Sequence, residues 1–457
     1  MRPVAANSET LLQLASRWPE RYPVLLDSAS SGPGAESSVL VAYPTGSLAL
    51  RADRTLVTSD ARIPRGQGFL DSLQAWWLQE GGAAGEGFSD LPWRGGFAVF
   101  LGYETAAEIE PTLRLPAAED AWIAWALRTP AALAIDHRQG SCQIIAEPGA
   151  EDLVARIVAD LSVLEQQPDP GGQAARGQWT HAPQVSEDPP QRYLELVERT
   201  KDLIRAGDVY QLNLSRAWRA SMPADASAAQ LYRRLRSVNP APFAALAQWG
   251  GSSIVSASPE RLVHVDRGHV STRPIAGTRP RSGDQAHHAS ETSALIANAK
   301  ERAEHVMLID LERNDLGRIC QAGTVVVDEF MTLESYPHVH HIVSNVSGQL
   351  RDGIGPVDVV RAIFPGGTIT GCPKIRCMEL IALLEGQGRG AYTGSIGTIG
   401  LDGSMDLNIL IRTIMVRGDK LWLRTGAGIV ADSVAERELE ETRAKARGLL
   451  HAITGRA

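Results

Sequence analysis

Two acidic patterns in this chain have the residue types and spacing to act together. Glu301 and Glu304 stand three apart in one polar stretch, Glu438 and Glu441 repeat that spacing in another, and Lys445 follows four residues later. On a helix, positions i, i+3 and i+7 share a face. Each pair then points two carboxylates the same way. The second pair follows a turn in which Gly426 and Gly428 leave backbone N–H groups open to a ligand, and Ser433 with Glu436 has the form of a capping box. If the two helices pack face to face, four carboxylates converge, and they repel unless a cation joins them. Mg2+ prefers such hard oxygen ligands and keeps positions for water and substrate. The same charges are also what two solvated helix faces look like. Spacing by itself leaves both readings open.

Two other patterns are set aside. The hexapeptide from Gly426 to Ala431 fits the loose dinucleotide fingerprint GxGxxA and follows an apolar run, Leu421 to Leu423. That fingerprint needs a second strand and an acidic residue about twenty positions on. With the sequence ending at Ala457, we expect no nucleotide site there. His338, His340 and His341 suggest a metal, but adjacent residues of a strand face opposite ways.

The elements that must position these residues can be read from periodicity and breakers. Residues 1–165 alternate apolar runs with turns, with a helical stripe at Phe69, Leu70, Leu73 and Trp77 and a helix at 154–164. Residues 166–190 are rich in proline and glycine and read as a linker. Residues 191–457 carry every charged constellation. A helix is expected at 191–206, a strand at 208–216 containing Gln211, two strands around Gly250–Gly251, and a long helix at 290–313. A glycine-rich loop at 364–374 leads into a helix at 375–385. Residues 391–401, 407–416 and 421–423 read as strands of one antiparallel sheet.

Composition bounds the class. With 44% apolar and 21% charged residues, the 457-residue chain is of globular type. A formal charge of −8 and the lack of any basic run argue against nucleic acid. No stretch is apolar enough for a signal peptide or a membrane span. Cys142, Cys320, Cys372 and Cys377 are too few and too scattered for a disulfide framework, so a cytoplasmic location is expected.

Six motifs then stand in a familiar order: PIAGTRPR at 274–281, KERAEHVMLIDLERND at 300–315, FPGGTITGCPK at 364–374, GAYTGSIG at 390–397, DLNILIRT at 406–413 and GAGIVADS at 426–433. Together they resemble the chorismate-utilising enzymes. The resemblance implies an α+β fold, an α/β/α sandwich of antiparallel sheets wrapped by helices, with Mg2+ and chorismate in a cleft. It implies that Glu304 and Glu441 bind Mg2+, supported by Glu301 and Glu438. Tyr392, Arg412 and Lys445, with N–H groups near Gly426 and Gly428, match positions that hold the pyruvyl carboxylate. Gly277 and Thr278 line the substrate ring, Glu260 matches the general acid for the departing ring hydroxyl, and His341 matches a histidine beside the substrate.

The resemblance also narrows the reaction. Members that add water carry a lysine base where this chain has Gln211, and an amide cannot take a proton from water. Ammonia needs no such base, so the aminating branches are implied. FPGGTITG, GSIG and NPAPF look like aminodeoxychorismate synthase component I rather than anthranilate synthase component I. Ala276 departs from that branch, because some of its members have a nucleophilic lysine there. No glutaminase half is evident, so a separate glutamine amidotransferase subunit is the expected source of ammonia.

Overall fold

The computed structural model describes residues 1–30, 36–81, 91–167, 179, 183–224, 226–280, 299–335 and 339–455, with backbone alone at 276–280, 299–301, 335 and 339–341. Two large sheets form its centre. The first runs in the order Arg2–Val4, Ser141–Ala146, Ala131–Asp136, Ser37–Ala42, Val24–Asp27, Phe243–Trp249, Ser252–Ser258, Thr413–Arg417, Lys420–Ile429, Gln211–Ser221 and Ser186–Glu187. The second runs Ile275–Pro280, Val339–Gln349, His269–Thr272, Arg261–Asp266, Met405–Asn408, Ser395–Ile399, Phe97–Leu101, Trp122–Arg128, Gly46–Arg51 and Leu56–Thr58. The strand pairings within both are antiparallel.

Period-2 packing explains the runs of apolar residues. In Ser37–Ala42, Val39 and Val41 join the core between the sheets, while Leu40 and Ala42 face the opposite core beneath the helices Ser8–Arg17 and Ala228–Val238. A strand buried on both faces has no polar side to display. Truncating such a residue, Leu40 to Ala for instance, costs about 2–5 kcal/mol. Strands from the first 146 residues continue both sheets, so the two regions read from the sequence share their cores. Most of the segment read as a linker lies outside the described residues.

The expected helices at 154–164, 191–206 and 375–385 are present as Asp152–Gln166, Pro190–Arg205 and Lys374–Glu385. The long helix is described from Ala299 and ends at Gly317. Two expectations are corrected. The capping box at Ser433 does not form: the helix Ala435–Thr454 starts after Val434, and the Ser433 hydroxyl instead accepts from the Val430 N–H at 3.1 Å, closing the turn on itself. The segments at 391–401, 407–416 and 421–423 do not share one sheet. Met405–Asn408 and Ser395–Ile399 lie in the second sheet, while Thr413–Arg417 and Lys420–Ile429 lie in the first.

Two of the places where the chain passes from one sheet to the other lie side by side. One crossing joins Ser252–Ser258 to Arg261–Asp266 and carries Glu260; the other joins Met405–Asn408 to Thr413–Arg417 and carries Arg412. They are tied together, since Ile409 N–H donates to Glu260 C=O at 3.0 Å and Ala257 N–H donates to Arg412 C=O at 3.1 Å. Arg412 turns the chain in the left-handed region, φ +52°, which is uncommon for a residue with a side chain and often marks a functional constraint.

Candidate active site

The crossings set Glu260 and Arg412 near the strands that carry Gln211, Gly426 and Gly428. Gln211 and Asn213 lie on one face of Gln211–Ser221, which pairs with Lys420–Ile429 in a register that sets Asn213 opposite Gly428. Both glycines sit in close contact with site residues. A Cβ on Gly428 would lie 2.3 Å from Gln211 Nε2, and one on Gly426 would lie 2.6 Å from the Tyr392 hydroxyl oxygen. Tyr392 is buried and donates to Asn213 Oδ1 at 3.5 Å. Burial pushes its hydroxyl up to about 12, so it stays a donor at neutral pH.

Two cations complete this wall. Lys445 donates to Gly426 C=O at 2.9 Å and pairs with Glu441 at 2.8 Å, four residues back on its own helix. Arg412 is half-buried, and among the described residues no hydrogen bond or ion pair holds its guanidinium. Burial pulls its pKa down while Tyr392 and Glu441 push it up. A guanidinium remains protonated in such surroundings. Its planar fork suits a carboxylate.

Glu260 faces this wall from its crossing. It is 5% exposed and accepts from the Thr368 hydroxyl at 2.8 Å. Burial raises its carboxyl to about 7, helped by the charge of Glu312 and opposed by Thr368 and Lys445. A carboxylic acid protonated near neutrality is what proton donation to a leaving group requires. Glu312 is itself raised to about 7, by burial first and then by Asp315, against the pull of Lys374. Lys374 is largely committed elsewhere, donating to Asp315 at 2.5 Å and to Ile363 C=O at 3.0 Å.

Glu438 and Glu441 lie on the helix Ala435–Thr454, and both help to raise Tyr193, whose hydroxyl is held up mainly by burial. Glu304 is half-buried on Ala299–Gly317. Among the described residues no three acidic, histidine or cysteine side chains gather closely enough to hold a metal. The side chains of Glu301, His341, Ala276, Gly277 and Thr278 lie outside the described residues, although the backbone register sets Thr278 opposite His341 on paired strands. A separate cavity of about 470 Å3, lined among others by Ser28, Arg94, Phe243, Arg261 and Asp406, contains none of the predicted site residues.

Residues 30–451 match one protein family, described as chorismate binding enzyme. The chain belongs to that family. Among chorismate binding enzymes it is 44% identical over 322 residues to aminodeoxychorismate synthase component 1 of Bacillus subtilis, covering 70% of this chain and 66% of that protein, just under two thirds of its length. It is 38% identical over 406 residues to anthranilate synthase component 1 1 of Haloarcula marismortui, covering 85% and 82%. The crystal structure of anthranilate synthase component I from Streptococcus pneumoniae superposes with a TM-score of 0.80 at 30% identity, covering 92% of this chain and 93% of that one. Relatives of both aminating kinds are thus similar to it, and they leave the particular reaction on chorismate open.

Sequence reasoning passed over Asn213, Thr368 and Glu312 as site residues. Asn213 was signalled by its period-2 relation to Gln211, and Thr368 by its place in the glycine-rich loop. Glu312 sits in a recognised motif, but its approach to Glu260 depends on how a helix and a loop pack, and no sequence spacing encodes that.

Proposed function

We propose that this chorismate binding enzyme aminates chorismate with ammonia to 4-amino-4-deoxychorismate, a step toward p-aminobenzoate and folate. One observation carries the reading: Gln211 is 8% exposed, its Oε1 is buried without a hydrogen-bond partner, and it lies against Gly428 in the wall that includes the unpaired Arg412. A buried amide oxygen without a donor costs free energy until one arrives. Ammonia supplies N–H donors, and Gln211 offers water no base.

In this reading Arg412, Tyr392 and Lys445 hold the pyruvyl carboxylate. Glu260 gives its proton to the ring hydroxyl, which leaves as water. The nitrogen lone pair forms the new C–N bond, and the proton then shed by nitrogen restores Glu260. We assign Mg2+ to Glu304 and Glu441, with Glu301 and Glu438 supporting it; their hard oxygens and their place on two helices suit it. When bound, it neutralises the ring carboxylate. Ala276 offers no nucleophile, so ammonia attacks the ring directly. We further assign a separate glutamine amidotransferase subunit as the ammonia source, and the cytoplasm as location.

Anthranilate synthesis is the second reading, favoured by Ala276 and by the Haloarcula relative, whose match covers more of this chain. The deciding assay supplies chorismate, an ammonium salt and Mg2+. The proposal expects p-aminobenzoate only after aminodeoxychorismate lyase is added. Fluorescent anthranilate without lyase selects the second reading, and untouched chorismate removes both in favour of a catalytically idle partner. Replacing Gln211 by lysine is expected to admit some water addition; absence of any hydroxylated product shows that Gln211 alone does not select ammonia.

A further inference from the structure

The N-terminal region meets the substrate wall through two buried acidic side chains. Glu104 lies just past the strand Phe97–Leu101 and is 3% exposed. Its Oε1 accepts from the Arg389 N–H at 2.7 Å and the Gly390 N–H at 3.3 Å, and its Oε2 accepts from the Gly390 N–H at 3.1 Å. Asp120, 5% exposed, accepts from the Ala391 N–H at 3.0 Å through Oδ2. Tyr103 N–H returns a bond to Gly390 C=O at 2.8 Å. Three successive amides are therefore held by two acids from a distant part of the chain. The fit is close: Gly390 has φ +58°, and a Cβ there would fall 1.7 Å from Asp120 Oδ2.

These amides lead directly into the substrate wall. Tyr392 comes next in the chain, and its N–H donates to Arg389 C=O at 3.1 Å. The Arg389 guanidinium lies 5.5 Å from the Tyr392 ring and donates to Asn213 C=O at 2.8 Å and to Ile369 C=O at 3.1 Å. Ile369 adjoins Thr368, the hydroxyl partner of Glu260. The backbone from Arg389 to Ala391 thus links the tyrosine, the Gln211 strand and the loop at the proton donor.

We propose that Glu104 and Asp120 are positioning residues for the substrate wall: by fixing the Arg389–Ala391 backbone they set the Tyr392 hydroxyl and the Arg389 contacts against which a substrate carboxylate is bound. The proposal rests on Tyr392 being a carboxylate ligand in the proposed function. Neither acid touches the substrate. Both act on substrate through the Tyr392 hydroxyl, which the Arg389–Ala391 backbone and the Arg389 contacts hold in place.

The test uses the full chain. Glu104→Gln keeps the volume but puts an NH2 group where Oε2 met the Gly390 N–H, donor against donor. It is expected to raise KM for chorismate about tenfold, equivalent to about 1.4 kcal/mol, with kcat within about twofold. Asp120→Ala is expected to do the same. Combined with Tyr392→Phe, either change should cost no more than Tyr392→Phe alone, because they act through one side chain. A KM left at the wild-type value while the melting temperature falls marks a purely structural role and overturns the proposal, as does full additivity with Tyr392→Phe. Hydrogen exchange supplies a readout independent of turnover. The 389–391 amides should exchange faster in Glu104→Gln than in wild type, with the helix Ala228–Val238 unchanged; equal exchange overturns the clamp whatever the kinetics. A wild-type chain that leaves chorismate untouched, yet shows the exchange difference, refutes the assigned reaction while supporting the clamp.

Discussion

Two arginines near Tyr392 are treated in opposite ways. Arg389 meets Glu385 through two bonds, 2.7 and 3.1 Å, with both side chains 1% exposed. Glu385 also takes Arg424 at 2.9 Å and the Ser215 hydroxyl at 2.8 Å. Glu385 is thus bonded to both guanidiniums, and the shifts of Glu385 and Arg389 favour their ionised forms despite burial. Arg412 has no such partner among the described residues. Buried charge that serves architecture is neutralised in place, because an unpaired ion in a dry interior is costly. Buried charge left open marks where an ion of opposite sign comes from outside.

The comparison can be broken at either end. The largest effect is expected at Arg389: Arg389→Met should cost about 3–5 kcal/mol of stability, read by denaturant unfolding, because Glu385 keeps a buried charge with one partner fewer. Next comes Arg412→Gln, expected to lose about 3 kcal/mol of substrate binding in the transition state, roughly a hundredfold in kcat/KM, with little change in the unfolding midpoint. An unfolding loss as large as that of Arg389→Met would show that Arg412 is structural after all.

Smaller effects concern the proton donor. In the proposed role Glu260 must be protonated to act, and burial raises its carboxyl to about 7. Rate should therefore fall about tenfold per unit as pH rises above that value, on the alkaline limb of the kcat/KM profile. A profile flat from pH 6 to 9 removes Glu260 from the role. In Glu312→Gln the limb should move to lower pH by about half a unit, roughly a threefold loss at pH 8. Both carboxyls lie above their ordinary 4.5, so the folded chain keeps protons that the unfolded chain has shed. Their stabilising share is full below about 4.5 and is lost as pH rises through about 7. Glu312→Gln should accordingly flatten the decline of melting temperature between pH 5 and 8, and an unchanged slope would show that Glu312 carries no excess proton.

Much of this is legible in the residues alone, for local reasons. Helices at 191–206 and 375–385 announce themselves by apolar spacing, and the strands flanking Gly250–Gly251 by alternation between breakers. Tyr392, Arg412 and Gly426 can be named because they sit in ordered motifs, and Lys445 because it follows Glu441 by one helical turn. The segment 407–416 reads wrongly as one strand because its apolar pattern runs unbroken through Ile409, Leu410 and Ile411 while the backbone leaves one sheet for the other. Nothing in residue type tells a continuous strand from one that bends where two sheets meet.

The sequence by itself determined the family, the outline of the elements and the identity of the groups able to grip an anion, since each depends on short spacings and intrinsic chemistry. Only the tertiary structure decided which of those groups are already satisfied. That Arg389 is matched and Arg412 is not, that Glu312 loads Glu260, and that acids from the first third of the chain hold the amides before Tyr392 all depend on contacts between residues far apart in sequence. Pairing and burial are properties of the packed chain, and they separate a charge that holds the fold from one kept open for a ligand.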